Sequence, residues 1–177
     1  MTVWTIGHGT RPADELVHLL TAHGIRLLAD VRTVPRSRRN PQFNRETLPA
    51  TLAGAGIRYA HLPGLGGLRR PRADSMNTAW RNAAFRGYAD YMATPEFAAA
   101  LDGLLGLAAS APTAIMCAET VPWRCHRSLI ADALLVRGVE VRHLGAGAAI
   151  DSHRLTPFAR VEHGRVTYPA ARPELGA

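Results

Sequence analysis

Thr113-Ala-Ile-Met-Cys117, then Ala118-Glu-Thr-Val-Pro-Trp-Arg-Cys-His-Arg127, then Ser128-Leu-Ile-Ala-Asp-Ala-Leu-Leu-Val136, is the stretch whose reading decides the fold. An apolar run of strand length is followed by a polar turn and then by an amphipathic run of helix length. The turn holds both cysteines of the chain, Glu119, His126, Arg124 and Arg127. In an open parallel sheet, ligands bind in the crevice beyond the carboxyl ends of the strands. A thiol beside a helix N-terminus there sits in a field that favours its thiolate.

Working outward, the same alternation recurs. Val3–Ile6 is expected as a first strand ending in Gly7-His8-Gly9, with a helix after Thr10 and Pro12 whose Leu16, Leu19 and Leu20 share a face. Strands are expected over 25–31, 57–62, 113–116 and 139–144, and helices over 47–55, 80–92, 95–109 and 128–136. Two polar loops interrupt them, one from Arg32 to Arg45 with Arg36, Arg38, Asn44 and two prolines, the other from Pro63 through Gly66 and Gly67 to Arg72. Strands alternating with helices predict a three-layer α/β/α fold around a mainly parallel five-stranded sheet, rhodanese-like or Rossmann-like in build. The 177 residues are expected to form one domain, with a small hairpin turning at Glu162-His163-Gly164-Arg165 in a C-terminal extension from about residue 148.

If the strands run parallel, their polar endings share one edge of the sheet. His8, Asp30 and Arg32, His61, Cys117 and Glu119, and His143 would then converge, and the two arginine-rich loops would leave from the same edge. All 21 basic residues are arginines, and the net charge of +7 favours polyanions or phosphate-bearing substrates. No apolar run reaches the length of a membrane span. The first residues have no basic or cleavable leader pattern, so a cytoplasmic protein without membrane contact is expected. Two cysteines in that compartment point to chemistry before a structural disulfide.

Thr5-Ile-Gly-His-Gly-Thr-Arg11, Asp30-Val-Arg-Thr-Val-Pro-Arg-Ser37, Phe43-Asn44, Leu65-Gly-Gly67 and Cys117-Ala-Glu119 with Cys125-His-Arg127 resemble the domain-of-unknown-function 488 family, over nearly the whole chain to about His143. Asp30-Val-Arg32 and Met116-Cys117 with the following helix also resemble rhodanese-like domains. That likeness implies a thiolate at Cys117 in a cradle of backbone N–H groups. The phosphatase version of the cradle has an arginine six positions after the cysteine. Here that position is Trp123, and Glu119 places a carboxylate where phosphate would sit, so sulfur transfer or another thiol chemistry is expected instead.

The expected function is a cysteine-dependent transferase or hydrolase acting on a phosphate-bearing or nucleic-acid-linked substrate. Cys117 would be the nucleophile, His126 or His8 the base, Glu119 and Asp30 the orienting or proton-carrying groups, and Arg32, Arg36, Arg38, Arg124 and Arg127 the anion ligands. Cys125 would resolve an oxidised Cys117 in a redox variant of this scheme. No cofactor is expected. The alternative is zinc on Cys117, Cys125 and His126, against which stands the divergence of adjacent side chains on a helix. A non-catalytic nucleic-acid or nucleotide binding protein is the second functional class, resting on the arginine loops and on Phe43, Tyr59 and Trp123 as stacking surfaces.

Overall fold

The computed structural model describes residues 1–145 and 150–171. Along the chain run β1 (Thr2–Gly7), α1 (Ala13–Ala22), β2 (Leu27–Asp30), α2 (Leu48–Ala53), β3 (Arg58–His61), α3 (Ala83–Tyr91) and α4 (Pro95–Ser110). They are followed by β4 (Thr113–Cys117), α5 (Arg127–Val136), β5 (Glu140–Leu144), β6 (Ile150–Ser152), β7 (Arg160–Glu162) and β8 (Arg165–Thr167). The local causes are ordinary ones. Thr94 caps α4 by accepting from the Phe97 N–H, with Pro95 in the first turn, and Asn82 caps α3 by accepting from the N–H groups of Ala84 and Phe85. All four residues of β2 are buried, as in a strand covered on both faces.

The central sheet has six strands in the order β3-β2-β4-β1-β5-β6. The first five are parallel to one another, and β6 pairs antiparallel with β5. The expectation of five strands therefore falls short by one. Ile150-Asp-Ser152 is too short and too polar to show a strand's alternation, and only the exposed edge of β5 makes it one. The expected start of the extension near residue 148 lies outside the described residues. The expected hairpin is present as β7 and β8, with His163 and Gly164 at positive φ in its turn. Among the described residues no helix is long and apolar enough to cross a membrane.

Helices cover both faces. Leu16, Leu19 and Leu20 of α1 and Leu48 and Leu52 of α2 pack with Ile6, Leu28, Ala114 and Met116 on one face. Residues of α3, α4 and α5 pack with Val3, Ala29, Ile115 and Val141 on the other. Neighbouring strands β1 and β4 thus send their following helices to opposite faces. The chain leaves β1 towards β2 on one side of the pair, and leaves β4 towards β5 on the other. That divergence is a topological switch point, where an open α/β sheet leaves a crevice at its carboxyl edge.

Gly7 pairs with Cys117 at the ends of these two strands. The turn after β4 crosses directly over it, so closely that a Cβ on Gly7 would fall on the Glu119 carbonyl. The glycine is required here by proximity, since its φ is not positive. Gly7→Ala should lower stability by about 1–3 kcal/mol or more, because backbone must move. Gly103→Ala in α4, where an added methyl meets nothing within 4 Å, should raise it by about 0.5–1 kcal/mol. Thermal melts of the two variants provide the comparison.

Candidate functional site

The strand-end residues do share the carboxyl edge. His61, Asp30, Met116 and Ile6 stand in one row, and the His8 N–H bonds the Cys117 carbonyl at 2.9 Å. Alternation along the strands nevertheless sends their side chains to two faces. Asp30 and His8 lie towards α1 and α2, whereas Cys117 lies towards α5. His143 falls one row short of the edge, opposite Thr5.

On the α1 side, Asp30 is fully buried and accepts from the Arg32 backbone N–H and Nε through Oδ1, and from Arg32 Nη2 and the Tyr59 hydroxyl through Oδ2, at 2.6–3.1 Å. The second Nη2 hydrogen goes to the Phe43 carbonyl at 2.7 Å, and Nη1 donates to His8 Nε2 at 3.2 Å. His8 Nδ1 donates to the Gly9 carbonyl at 2.8 Å, and its ring stacks on Phe43 with centroids 4.3 Å apart. Both imidazole nitrogens are engaged, so His8 holds Arg32 and has no lone pair left for a substrate. Its pKa is pushed down to about 4, chiefly by burial, with the Arg32 charge contributing. Arg32 keeps a single uncommitted Nη1 hydrogen. A cavity of about 260 Å³ opens above, lined by His8, Arg32, Arg36, Ser37, Asn40 and Ala118. Asn44 shapes its loop by accepting from the Ser37 N–H at 2.7 Å.

On the α5 side, the ligand atoms of Cys117, Cys125 and His126 lie within 4.8 Å of one another, close enough to hold a metal ion. Cys125 precedes α5 in an extended conformation (φ −130, ψ 147), so its side chain does not diverge from that of His126 as it would on a helix. Its Sγ lies 3.7 Å from His126 Nδ1 and accepts from the Arg127 N–H at 3.5 Å. His126 Nε2 donates to the Val31 carbonyl at 3.0 Å, which leaves Nδ1 as the bare nitrogen facing the thiols in the neutral ring. The Gly66-Gly67 loop covers this imidazole. It is fixed by hydroxyl bonds from Tyr88 to the Leu65 carbonyl and from Tyr91 to the Gly64 carbonyl, and a Cβ on Gly67 would lie 3.1 Å from His126 Nδ1.

The sequence reading made Cys117 the acidic thiol, but the groups around the pair favour the thiolate at Cys125. The Cys125 thiol is pulled down, first by the Cys117 thiol beside it and then, against burial, by His126 and Arg127. Cys117 is pushed up, first by the Cys125 sulfur beside it and then by its own desolvation. Cys125, beside the first N–H of α5, occupies the seat expected for Cys117. The thiolate is thus assigned to the less exposed sulfur: Cys125 is 4% exposed, and Cys117 is half-buried.

Glu119 turns away from any anion cradle, its Oε1 accepting from the Val121 N–H at 2.9 Å. Arg127 is 1% exposed, and its two Nη atoms bond the Thr5 hydroxyl and the Glu119 carbonyl. It braces the turn and offers no free fork to a ligand. Arg36, Arg38 and Arg124 are exposed and make no ion pair among the described residues.

The sequence reading named His143 but did not assign Thr5, Asp132, His153 or Tyr168 to the network around it. Thr5 donates to His143 Nδ1 (2.8 Å), His143 Nε2 to His153 Nδ1 (2.9 Å), and His153 Nε2 to Asp132 Oδ1 (2.8 Å). Arg127 donates at one end and the Asp132 carboxylate accepts at the other, and with both rings neutral every bond between them runs in that order. Asp132 also accepts from the Tyr168 hydroxyl at 2.8 Å. The signal available was an Asp buried on the apolar face of the expected helix, which must find partners.

The model of the family described as Domain of unknown function DUF488 matches residues 12–134, and the chain belongs to that family. The matched span includes the Asp30–Arg32 pair and both cysteines, and excludes His8, His143 and His153. No curated protein and no solved structure matches the chain.

Asp30→Ala strands the buried Arg32 charge and should cost about 3–5 kcal/mol in urea unfolding. The histidines give a pH dependence of the opposite sign to acid-stabilised proteins. His8 and His143 are both held at about 4, below the ordinary 6.5, so the unfolded chain binds more protons in between. Stability should be full above about pH 6.5 and fall as pH drops towards 4. Denaturant midpoints across that range, with His8→Gln giving a shallower decline, test this.

Proposed function

We propose that the protein is a thiol-dependent enzyme that acts at the switch point between β1 and β4 on a phosphate-bearing substrate. Cys125 is the nucleophile, His126 Nδ1 takes the proton of its thiol, and Cys117 donates a hydrogen bond to the thiolate. Arg36, Arg38 and Arg124 draw the phosphate to the edge. The observation that carries this reading is the placement of Cys125 Sγ against the Arg127 N–H at the start of α5 and 3.7 Å from a bare imidazole nitrogen. Acidic, nucleophilic cysteines occupy such seats, where a helix N-terminus and a histidine both favour the charged sulfur. The net charge of +7 and the exposed arginines on the same edge support an anionic substrate, as a phosphate ester or a nucleic-acid-linked group.

A second reading has its own observation. His126 presents Nδ1 to two sulfurs while its other nitrogen is anchored on a backbone carbonyl, the arrangement by which metal-binding imidazoles are oriented. Zinc on Cys117, Cys125 and His126 would have one position open to water or substrate.

Alkylation with iodoacetamide separates the thiols. Labelling of Cys125 should be almost independent of pH from 5 to 8, because its thiolate is already formed. Cys117 should label only on the alkaline side of an ordinary thiol, near 8.5. Cys125→Ser should remove the pH-independent phase, and Cys117→Ser should leave it while shifting its onset to higher pH. A pH-independent phase that survives Cys125→Ser would return the nucleophile to Cys117. Stoichiometric zinc in the purified protein, with both thiols protected until a chelator is added, would establish the metal reading instead.

A further inference from the structure

A second cavity, of about 530 Å³, is lined by Pro122 and Trp123 of the turn that precedes Cys125, and neither thiol lines it. The chemistry proposed for the thiols does not use it. One wall is flat and aromatic, made by Trp80, Trp123 and Phe158, with Trp80 and Phe158 meeting edge to face at 4.8 Å and 78°. Ser128, His143, Asp151, His153 and Arg154 are among the polar residues that line the rest of the cavity.

The polar lining combines the neutral hydroxyls of Ser128, Ser152 and Thr156 with one carboxylate, Asp151, and one guanidinium, Arg154. A chain of hydrogen bonds runs from Arg127 through Thr5, His143 and His153 to Asp132, so both ring nitrogens of each imidazole are engaged within the protein. Burial first, and then the positive charge of its neighbours, holds His143 neutral by pushing its pKa down to about 4, with the Asp151 carboxylate opposing. Trp123, by contrast, is 70% exposed. Trp123 therefore presents a large flat ring to a cavity that neither Cys117 nor Cys125 lines.

The combination selects a ligand. A volume of this size suits a small molecule, and an indole face left bare in water is a stacking platform for a planar ring. The hydroxyls of Ser128, Ser152 and Thr156 on the lining suit the polar edge of a heterocycle better than an aliphatic chain, which would desolvate them without a partner. The exposed guanidinium of Arg154 adds a place for a negative charge at the mouth.

We propose that this cavity binds a nucleotide, with its base stacked on Trp123 and its phosphate at Arg154. This names the base-bearing end of the substrate class proposed above and to that extent rests on that reading, but binding itself needs no thiol. The nucleotide is either free or the accessible end of a single strand, and the two share the same chemistry at the cavity.

Calorimetric titration of the full chain tests it, with AMP, adenosine, ribose 5-phosphate and a short single-stranded oligoadenylate as probes. AMP should bind, and ribose 5-phosphate should bind at least about tenfold more weakly, since stacking of one base carries that much affinity. Trp123→Ala should weaken AMP about tenfold while leaving the circular dichroism spectrum and melting temperature unchanged, because the ring is mostly in solvent. Arg154→Gln should weaken AMP and leave adenosine as it was. An oligoadenylate that binds more tightly than AMP, and that also loses affinity in Trp123→Ala, identifies the strand as the source of the base. Equal binding of ribose 5-phosphate and AMP, or an AMP affinity indifferent to Trp123→Ala, overturns the assignment. Cys125→Ser keeps the two readings apart: it should retain AMP binding while losing pH-independent alkylation. Labelling that behaves as proposed in a chain that binds no AMP removes only the cavity assignment.

Discussion

The closeness with which the turn after β4 crosses Gly7 is the constraint on which the rest of the site depends. It brings the ends of two adjacent parallel strands together at the point where their connections part. It also presents the Glu119 carbonyl to Arg127 and seats His8 against the backbone of Cys117. A side chain on residue 7 would push the turn outward and separate the α1-side network from the thiols. Backbone approach of this kind is available only to glycine, and here it is the absence of a Cβ that matters and not a special φ.

Two buried cations organise the two sides. Arg32 is neutralised at contact by Asp30, with Tyr59, Phe43 and His8 completing the hydrogen bonding. Among the described residues Arg127 has no carboxylate at contact. Its counter-charge, Asp132, stands at the far end of four hydrogen bonds through Thr5, His143 and His153. In a low dielectric such a chain polarises along its length, and each member strengthens the next. The consequence for the thiols is direct. An arginine paired at contact projects little field, whereas one whose partner is distant leaves positive potential at Cys125, which lies beside its backbone N–H.

The pair of sulfurs gains its asymmetry from the same arrangement. Cys117 sits at a strand end and Cys125 at a helix start, and only the helix start offers N–H groups and an imidazole together. One proton shared between two desolvated thiols settles on the sulfur with less help, so Cys117 becomes the donor and Cys125 the acceptor. The half-buried thiol therefore guards the acidic one.

The sequence by itself determined the alternation of strands and helices, the common edge of the polar strand ends, and the burial of Asp30 with Arg32. Those features follow from local period and from the rule that a carboxylate delivered inside by an apolar strand must have partners. The order of the strands, the sixth strand, the division of the edge residues between two faces and the identity of the acidic thiol were decided by tertiary structure. Strand order depends on which face each helix covers, and β6 exists only because β5 has an open edge. His153 and Asp132 lie 21 residues apart and meet Thr5 from the other end of the chain. The acidity of Cys125 arises from a sulfur, an imidazole and a helix N–H that pairing and packing bring into contact, and spacing along the chain carries no record of which thiol receives them.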